Sequence, residues 1–152
     1  MDKKLDTTLV GVAGEYLVAG ELTLRGYIAA ISLRNSRGVD IVASRTDGSG
    51  AFTIQVKTRS RGTTKKWILN KKCEDVSSKN YFYIFVLLSG DEEERSCFHV
   101  VPSRVVAKHV REGHSSWLKG KKKDGSPRKD SSMRTFRDEE NKFLEAWHLL
   151  PG

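Results

Sequence analysis

Cysteine and proline are scarce in this chain, and long apolar runs are missing. Two cysteines, Cys73 and Cys97, cannot build a disulfide framework or by themselves a four-ligand zinc site. They read as free thiols of a reduced compartment. No segment approaches the roughly 20 consecutive apolar residues of a membrane span. Residues 1–20 lack the basic, apolar and cleavage regions of a signal peptide, since acids stand at Asp2, Asp6 and Glu15. The expectation is a soluble, cytoplasmic protein with no membrane partner. Acidic residues are in deficit: 19 Asp and Glu face 27 Lys and Arg, a net charge of +8. At 152 residues the chain is expected to form a single domain, 1–152, able to bury its own core.

The excess charge is concentrated. Residues 45–80 are net +6 and residues 119–137 are again net +6, so the rest of the molecule sums to −4. One basic block is ordinarily a solvated surface. Two blocks around one candidate site would be an electrostatic footprint for a phosphate backbone.

Periodicity predicts a helix over 8–25, started by Asp6 or Thr7 and stopped at Arg25-Gly26. Leu9, Val10, Ala13, Tyr16, Leu17, Gly20 and Leu24 share one side. Gly11, Glu15, Val18 and Leu22 share the other. Such a helix is expected to be covered on more than one face. Strands are predicted over 27–33, 39–44, 51–58, 81–88 and 97–101. In the third, Phe52, Ile54 and Val56 alternate with Thr53, Gln55 and Lys57. The run 81–88 is apolar throughout, as in a strand covered on both faces. Ser103 is expected to cap a helix ending near Glu112-Gly113. Residues 119–132 read as a mobile basic loop. Residues 138–149 read as a short helix with Phe143, Leu144 and Trp147 inward. The region 59–80 has no clear period. The order is α/β, a mixed sheet with helices.

Asp40 interrupts the otherwise apolar strand Gly38-Val39-Asp40-Ile41-Val42-Ala43. A carboxylate is costly to bury there unless it is paired or ligates a metal. Gln55 and Lys57 lie on one face of the next strand, and a short hairpin brings Asp40 beside them. Asp40, Gln55 and a backbone carbonyl are an oxygen-only donor set suited to Mg²⁺ or Mn²⁺. A lysine beside such an ion can align a water or neutralise a phosphate. Glu15 adds a second carboxylate if the first helix docks on this sheet. His99, His109 and His114 have no metal-ligand spacing. Trp67, Trp117 and Trp147 read as core, although Trp67 follows Lys65 and Lys66 and could touch DNA.

The run Gly14-Glu15, Arg25-Gly26-Tyr27, Gly38-Val39-Asp40 and Gln55-Val56-Lys57 resembles the PD-(D/E)xK nuclease superfamily. The resemblance is strongest to small standalone members such as archaeal Holliday-junction resolvases. It covers about residues 8–101. It implies a restriction-endonuclease-like αβββαβ core with a mixed central sheet flanked by helices. It implies catalytic roles for Glu15, Asp40, Gln55 and Lys57. Asp40, Gln55 and the Val56 carbonyl would hold the metal, with Glu15 acting through water. Two positions depart from the pattern. Val39 stands where a proline is usual, and Gln55 stands for the second acid, which removes one negative charge at the ion. QxK forms occur in the superfamily, including methylation-dependent restriction nucleases.

The reading is a Mg²⁺- or Mn²⁺-dependent DNA endonuclease. Arg59, Arg61, Lys65, Lys66, Lys121, Lys122 and Lys123 are the expected phosphate contacts. A homodimer would provide one site for each strand of a duplex. Two alternatives remain open at this point: a non-cleaving nucleic-acid-binding module on the same fold, and a partner protein in a defence or toxin system.

Overall fold

A computed structural model describes residues 4–33, 37–62 and 64–152. Helix α1 (Thr7–Leu24) leads into strands β1 (Tyr27–Ile31), β2 (Ile41–Arg45), β3 (Phe52–Ser60) and β4 (Lys66–Asn70). A 3₁₀ turn (Lys71–Asp75), β5 (Tyr81–Leu88), β6 (Cys97–Pro102), α2 (Ser103–Leu118) and β7 (Met133–Arg137) follow. Five strands form one sheet in the order β1-β2-β3-β5-β6, and β4 pairs with β7 in a separate ribbon. Only β3 and β5 run parallel in the main sheet. The expected αβββαβ order places a helix in the β3–β5 crossover. Here that crossover is β4 and the 3₁₀ turn, while α2 follows β6 and covers that sheet face.

The sheet is buried on both sides. Phe52, Ile54 and Val56 of β3 join Val18 and Leu22 of α1 on one face. Trp67, Leu69, Val106, Val110 and Phe136 cover the other. Strand β5 feeds both cores: Phe82, Ile84 and Val86 point one way, and Tyr83, Phe85 and Leu87 the other. That two-sided burial explains its unbroken apolar run.

The contact face of α1 differs from the expectation. Its buried stripe is Val10, Gly14, Val18 and Leu22. Tyr16 is 68% exposed and Leu24 83% exposed, so the helix is not covered all round. Val18 and Leu22 anchor the face in the core, and a small residue between them and Val10 sets how closely it approaches. A Cβ at Gly14 would lie 1.7 Å from the Thr58 hydroxyl oxygen, so this glycine lets α1 approach β3.

Three further segments depart from the sequence reading. Helix α2 starts after Pro102, and the Ser103 hydroxyl, rather than capping it, donates to the Ser78 carbonyl at 2.8 Å. The helix runs through Gly113 to Leu118 because its Val106 and Val110 stripe is anchored in the core. Residues 119–132 are not featureless: Lys121 and Pro127 form an antiparallel bridge, and Arg128 donates to the Trp117 carbonyl. Residues 138–149 are not an α-helix; only Trp147–Leu149 makes a 3₁₀ turn. Asn141 and Glu145 take left-handed backbone angles, which end helical propagation. The segment pairs with the outer edge of β6 instead, Val100 N–H donating to Phe143 O and Glu145 N–H to Phe98 O.

A buried carboxylate organises that segment. Asp138 accepts from the Lys142 and Phe143 amides at 2.8 and 2.9 Å and pairs with His99 Nδ1 at 2.7 Å. Burial pushes the His99 pKa down, against the opposing pull of Asp138. Lys65 and Glu145 also face it, the first lowering and the second raising its pKa.

Two outcomes follow from this packing. Gly14→Ala should destabilise the fold by about 1–3 kcal/mol through overpacking, with partial recovery in Gly14→Ala/Thr58→Ala, as read by urea denaturation. Because His99 resists protonation in the fold, the melting temperature should fall as pH drops through the ordinary histidine value of 6.5. Burial shifts His109 the same way. The fall should therefore become shallower, not vanish, in His99→Gln; an unchanged slope would contradict the assignment.

Candidate active site

The site is built where β2 leaves β3. Their ladder ends at the pair Ile41 and Ile54. Asp40 N–H still donates to Ile54 O at 2.9 Å, but the next partner is a side chain: Val56 N–H donates to Asp40 Oδ2 at 2.7 Å. The carboxylate thus takes the position a carbonyl of a continuing strand would hold. The amide and carbonyl of one strand residue point to the same edge. The Val56 carbonyl therefore turns toward the same gap as Asp40. Two contacts brace the turn before Asp40. Ser32 N–H donates to Asp40 O at 2.8 Å, and the Tyr81 hydroxyl donates to Gly38 O. Gly38 sits at φ +72°, a backbone conformation that favours glycine.

Gln55 and Lys57 project from the face of β3 opposite the α1 core. They line a cleft of about 560 Å³ shared with Arg37, Asn70, Lys72, Tyr81 and Tyr83. Burial pushes the Asp40 carboxyl above its ordinary range; the Val56 N–H and the charge of Lys57 pull the other way without cancelling it. Burial and the charge of Asp40 push Tyr81 up to about 12, so it remains a donor at neutral pH. Burial likewise pushes the nearby Cys73 thiol up to about 11, which leaves it unreactive as a nucleophile. Arg37, Lys57 and Lys72 make this mouth cationic, as a phosphate would require.

The structure therefore sets Asp40 against Val56 and within electrostatic reach of Lys57, while Gln55 and Lys57 line the adjoining cleft, whose lining does not include Asp40. Glu15 lies on α1, half-buried, directly after the glycine that touches Thr58. Its helix covers the sheet face opposite the Gln55 and Lys57 side chains. Among the described residues no group of three His, Cys, Asp or Glu could hold a metal ion. A divalent ion at Asp40 would have one carboxylate and neutral oxygens. That donor set fits Mg²⁺ or Mn²⁺ in kind and predicts weak binding.

The expected phosphate contacts fall into two groups. Arg59 is turned inward, donating to Lys66 O at 2.7 Å and to the Thr64 hydroxyl. Arg61 pairs with Glu94 and donates to Cys97 Sγ, and Lys65 donates to Asn141. Lys66 stands at the end of the β4–β7 ribbon across from Arg137, and Lys121, Lys122 and Lys123 are exposed. Trp67 is buried, donating to Val86 O. The sequence reading missed Arg37, Lys72, Tyr81 and Tyr83 as cleft residues. The two tyrosines had a signal: they alternate on one side of an otherwise apolar strand, each carrying a polar tip.

Asp40→Asn tests the electrostatics directly. Asparagine keeps an acceptor for Val56 N–H and removes an anion whose ionised form the fold disfavours. In chelator at neutral pH its melting temperature should exceed that of wild type. Added Mg²⁺ or Mn²⁺ should stabilise wild type by about 1.4 kcal/mol per tenfold rise once the site fills, and should leave Asp40→Asn unmoved.

No protein-family model and no curated protein matches this sequence. Solved structures do match. A Holliday junction resolvase from the archaeon Archaeoglobus fulgidus aligns at 14% identity and TM-score 0.47, covering 84% of each chain. A bacterial homing endonuclease, I-Ssp6803I, aligns at 17% identity and TM-score 0.52, covering 95% of this chain and 93% of its own. The second alignment, with the mixed sheet and its flanking helices, shows the fold, which is restriction-endonuclease-like.

Proposed function

We propose that this protein is a divalent-metal-dependent endonuclease that hydrolyses phosphodiester bonds in DNA. One observation carries the reading: the Asp40 carboxylate holds the Val56 N–H, on the strand edge that the Val56 carbonyl shares by strand geometry, beside a cleft that holds Gln55 and Lys57. Asp40, Gln55 and the Val56 carbonyl would hold Mg²⁺ or Mn²⁺, with Glu15 contributing through water. The ion would supply Lewis-acid activation of the attacking water and charge neutralisation at phosphorus. Lys57 aligns that water and offsets the charge that builds on the phosphoryl oxygens. Arg37 and Lys72, at the mouth of the same cleft, attract and orient the DNA backbone. Tyr81 holds the Gly38 turn that presents Asp40. Asp40 must lose its proton to bind the ion, so its raised pKa makes metal affinity fall as pH drops.

The sequence's two basic blocks meet in space. Pairing of β4 with β7 sets Lys66 opposite Arg137 and brings the 119–137 segment beside the 45–80 segment. Phosphate contacts from Lys66, Lys121, Lys122 and Lys123 would make binding fall steeply with salt. Cutting both strands of a duplex calls for a second copy of the chain. No helix among the described residues is long and apolar enough to cross a membrane.

A second reading is a non-cleaving nucleic-acid-binding module on the same fold. The presence beside the cleft of one carboxylate with a raised pKa favours it.

A cleavage assay on linear, branched and single-stranded DNA in millimolar Mg²⁺ or Mn²⁺ separates the two. Wild type should cut, and Lys57→Ala should be slower by about 10²- to 10³-fold. Gln55→Glu should lower the metal concentration needed for half-maximal rate, because it restores a negative ligand. Wild type and Lys57→Ala that bind DNA equally and are equally inert would establish the binding-module reading.

A further inference from the structure

A second groove lies between α2 and the outer face of the β4–β7 ribbon, about 310 Å³ in volume. Its floor is unusual for a surface this basic. Ile68 is 49% exposed and Met133 58% exposed, and they lie on the face of the ribbon turned away from the buried Trp67, Leu69 and Phe136. Lys66 and Arg137 stand across from one another at the ribbon's end, on the same groove. The helical wall is His109, Gly113 and Trp117 at four-residue spacing.

Two details of that wall point to a flat ligand. Trp117 is 45% exposed but rigidly held. The Arg128 guanidinium sits 4.9 Å from the centre of its ring and is anchored by a bond to the Trp117 carbonyl. The His114 ring lies within 22° of parallel to it and is fixed by Asp130 at 2.7 Å. Gly113 is in the helix interior, where glycine costs about 1 kcal/mol relative to alanine. No packing explains it, because a Cβ there would meet nothing within 4 Å. What the missing side chain does is leave the groove open between His109 and Trp117.

We propose that this groove is a stacking subsite for one unpaired nucleobase, with Trp117 as its platform and Lys66 and Arg137 on the flanking phosphates. An aromatic wall, an apolar floor and a cationic rim are the parts that single-stranded nucleic acid uses. A base inside a duplex hides its face, so the ligand is a single-stranded or unpaired segment. The groove also adjoins the cleft. Strand β4 contributes Lys66 and Ile68 to the groove and Leu69 and Asn70 to the cleft, and Ile68 to Asn70 is only about 7 Å of strand. A segment held here would lead its neighbouring phosphates toward Asp40 and Lys57. The subsite rests on the DNA-acting reading and sharpens it toward substrates that carry unpaired bases.

Fluorescence anisotropy at low salt tests it with three probes: a single-stranded oligothymidine, an abasic oligonucleotide of the same length, and a blunt duplex. Trp117→Ala should weaken oligothymidine binding about 5- to 150-fold and leave the other two within twofold. Trp117→Phe should recover most of the loss. Gly113→Leu should raise the melting temperature, because it removes a helix-interior glycine, and still weaken oligothymidine binding because it fills the groove. A loss shared equally by all three probes, or no loss at all, would overturn the subsite while leaving DNA binding intact. Failure of wild type to bind any of the three would overturn the DNA-acting reading itself. Capture of polyglutamate in a Trp117-dependent way would show an acidic-peptide groove instead.

Discussion

The hydrogen bond from Val56 N–H to the Asp40 carboxylate is the constraint on which the rest of the proposed site depends. It ends the β2–β3 ladder by replacing a main-chain acceptor with a side-chain anion. Position and charge are thereby fixed in one contact. The carboxylate cannot swing away without leaving a strand amide unsatisfied, which would cost about 1–3 kcal/mol. The same contact draws Asp40 into a desolvated place where its ionised form is disfavoured. A cation in the gap would relieve that disfavour, so the fold holds the site in a state that binding improves.

The surroundings serve that contact from both sides of the sheet. On one face, Gly14 lets α1 lie against β3 at Thr58, the residue after Lys57. This rigid backing fixes the strand that carries Gln55, Val56 and Lys57. On the other face, Trp67 and Phe136 seal the core beyond the cleft, and β4 contributes residues to both the cleft and the groove. Charge follows the same division. Arg59 and Arg61 spend their guanidinium groups on internal partners, so they hold the β3 end in place. Arg37, Lys57 and Lys72 face the cleft, and Lys66 and Arg137 face the groove.

What was legible in the sequence was local. A hairpin with an interrupting aspartate on one strand and alternating Gln55 and Lys57 on the next is readable, because antiparallel neighbours a few residues apart have nearly forced pairing. The uninterrupted apolar run of β5 announced its two-sided burial. The pairing of β4 with β7 was hidden, since Lys66 meets Arg137 across some 70 residues and no local period reveals such a partner. Residues 138–149 misled for a related reason. Their acidic first turn and spaced aromatics suit a helix, but the Asp138 carboxylate binds two amides and His99, and the open edge of β6 takes the backbone that follows. On α1 the side carrying Val18 and Leu22 is buried as its apolar pattern suggests, but the side carrying Tyr16 and Leu24 stays exposed because no second layer packs on it. The cleft's tyrosines and its second and third cations converge from separate elements, and only tertiary structure joins them.

The central claim is that Asp40, Gln55 and the Val56 carbonyl form a divalent-cation site. Diffraction from a crystal soaked in millimolar Mn²⁺, recorded at the manganese edge, addresses it most directly. The account predicts one anomalous peak bonded to the Asp40 carboxylate and the Val56 carbonyl, and no such peak in Asp40→Asn. A wild-type crystal with no peak there, or with manganese bound only elsewhere, would contradict it.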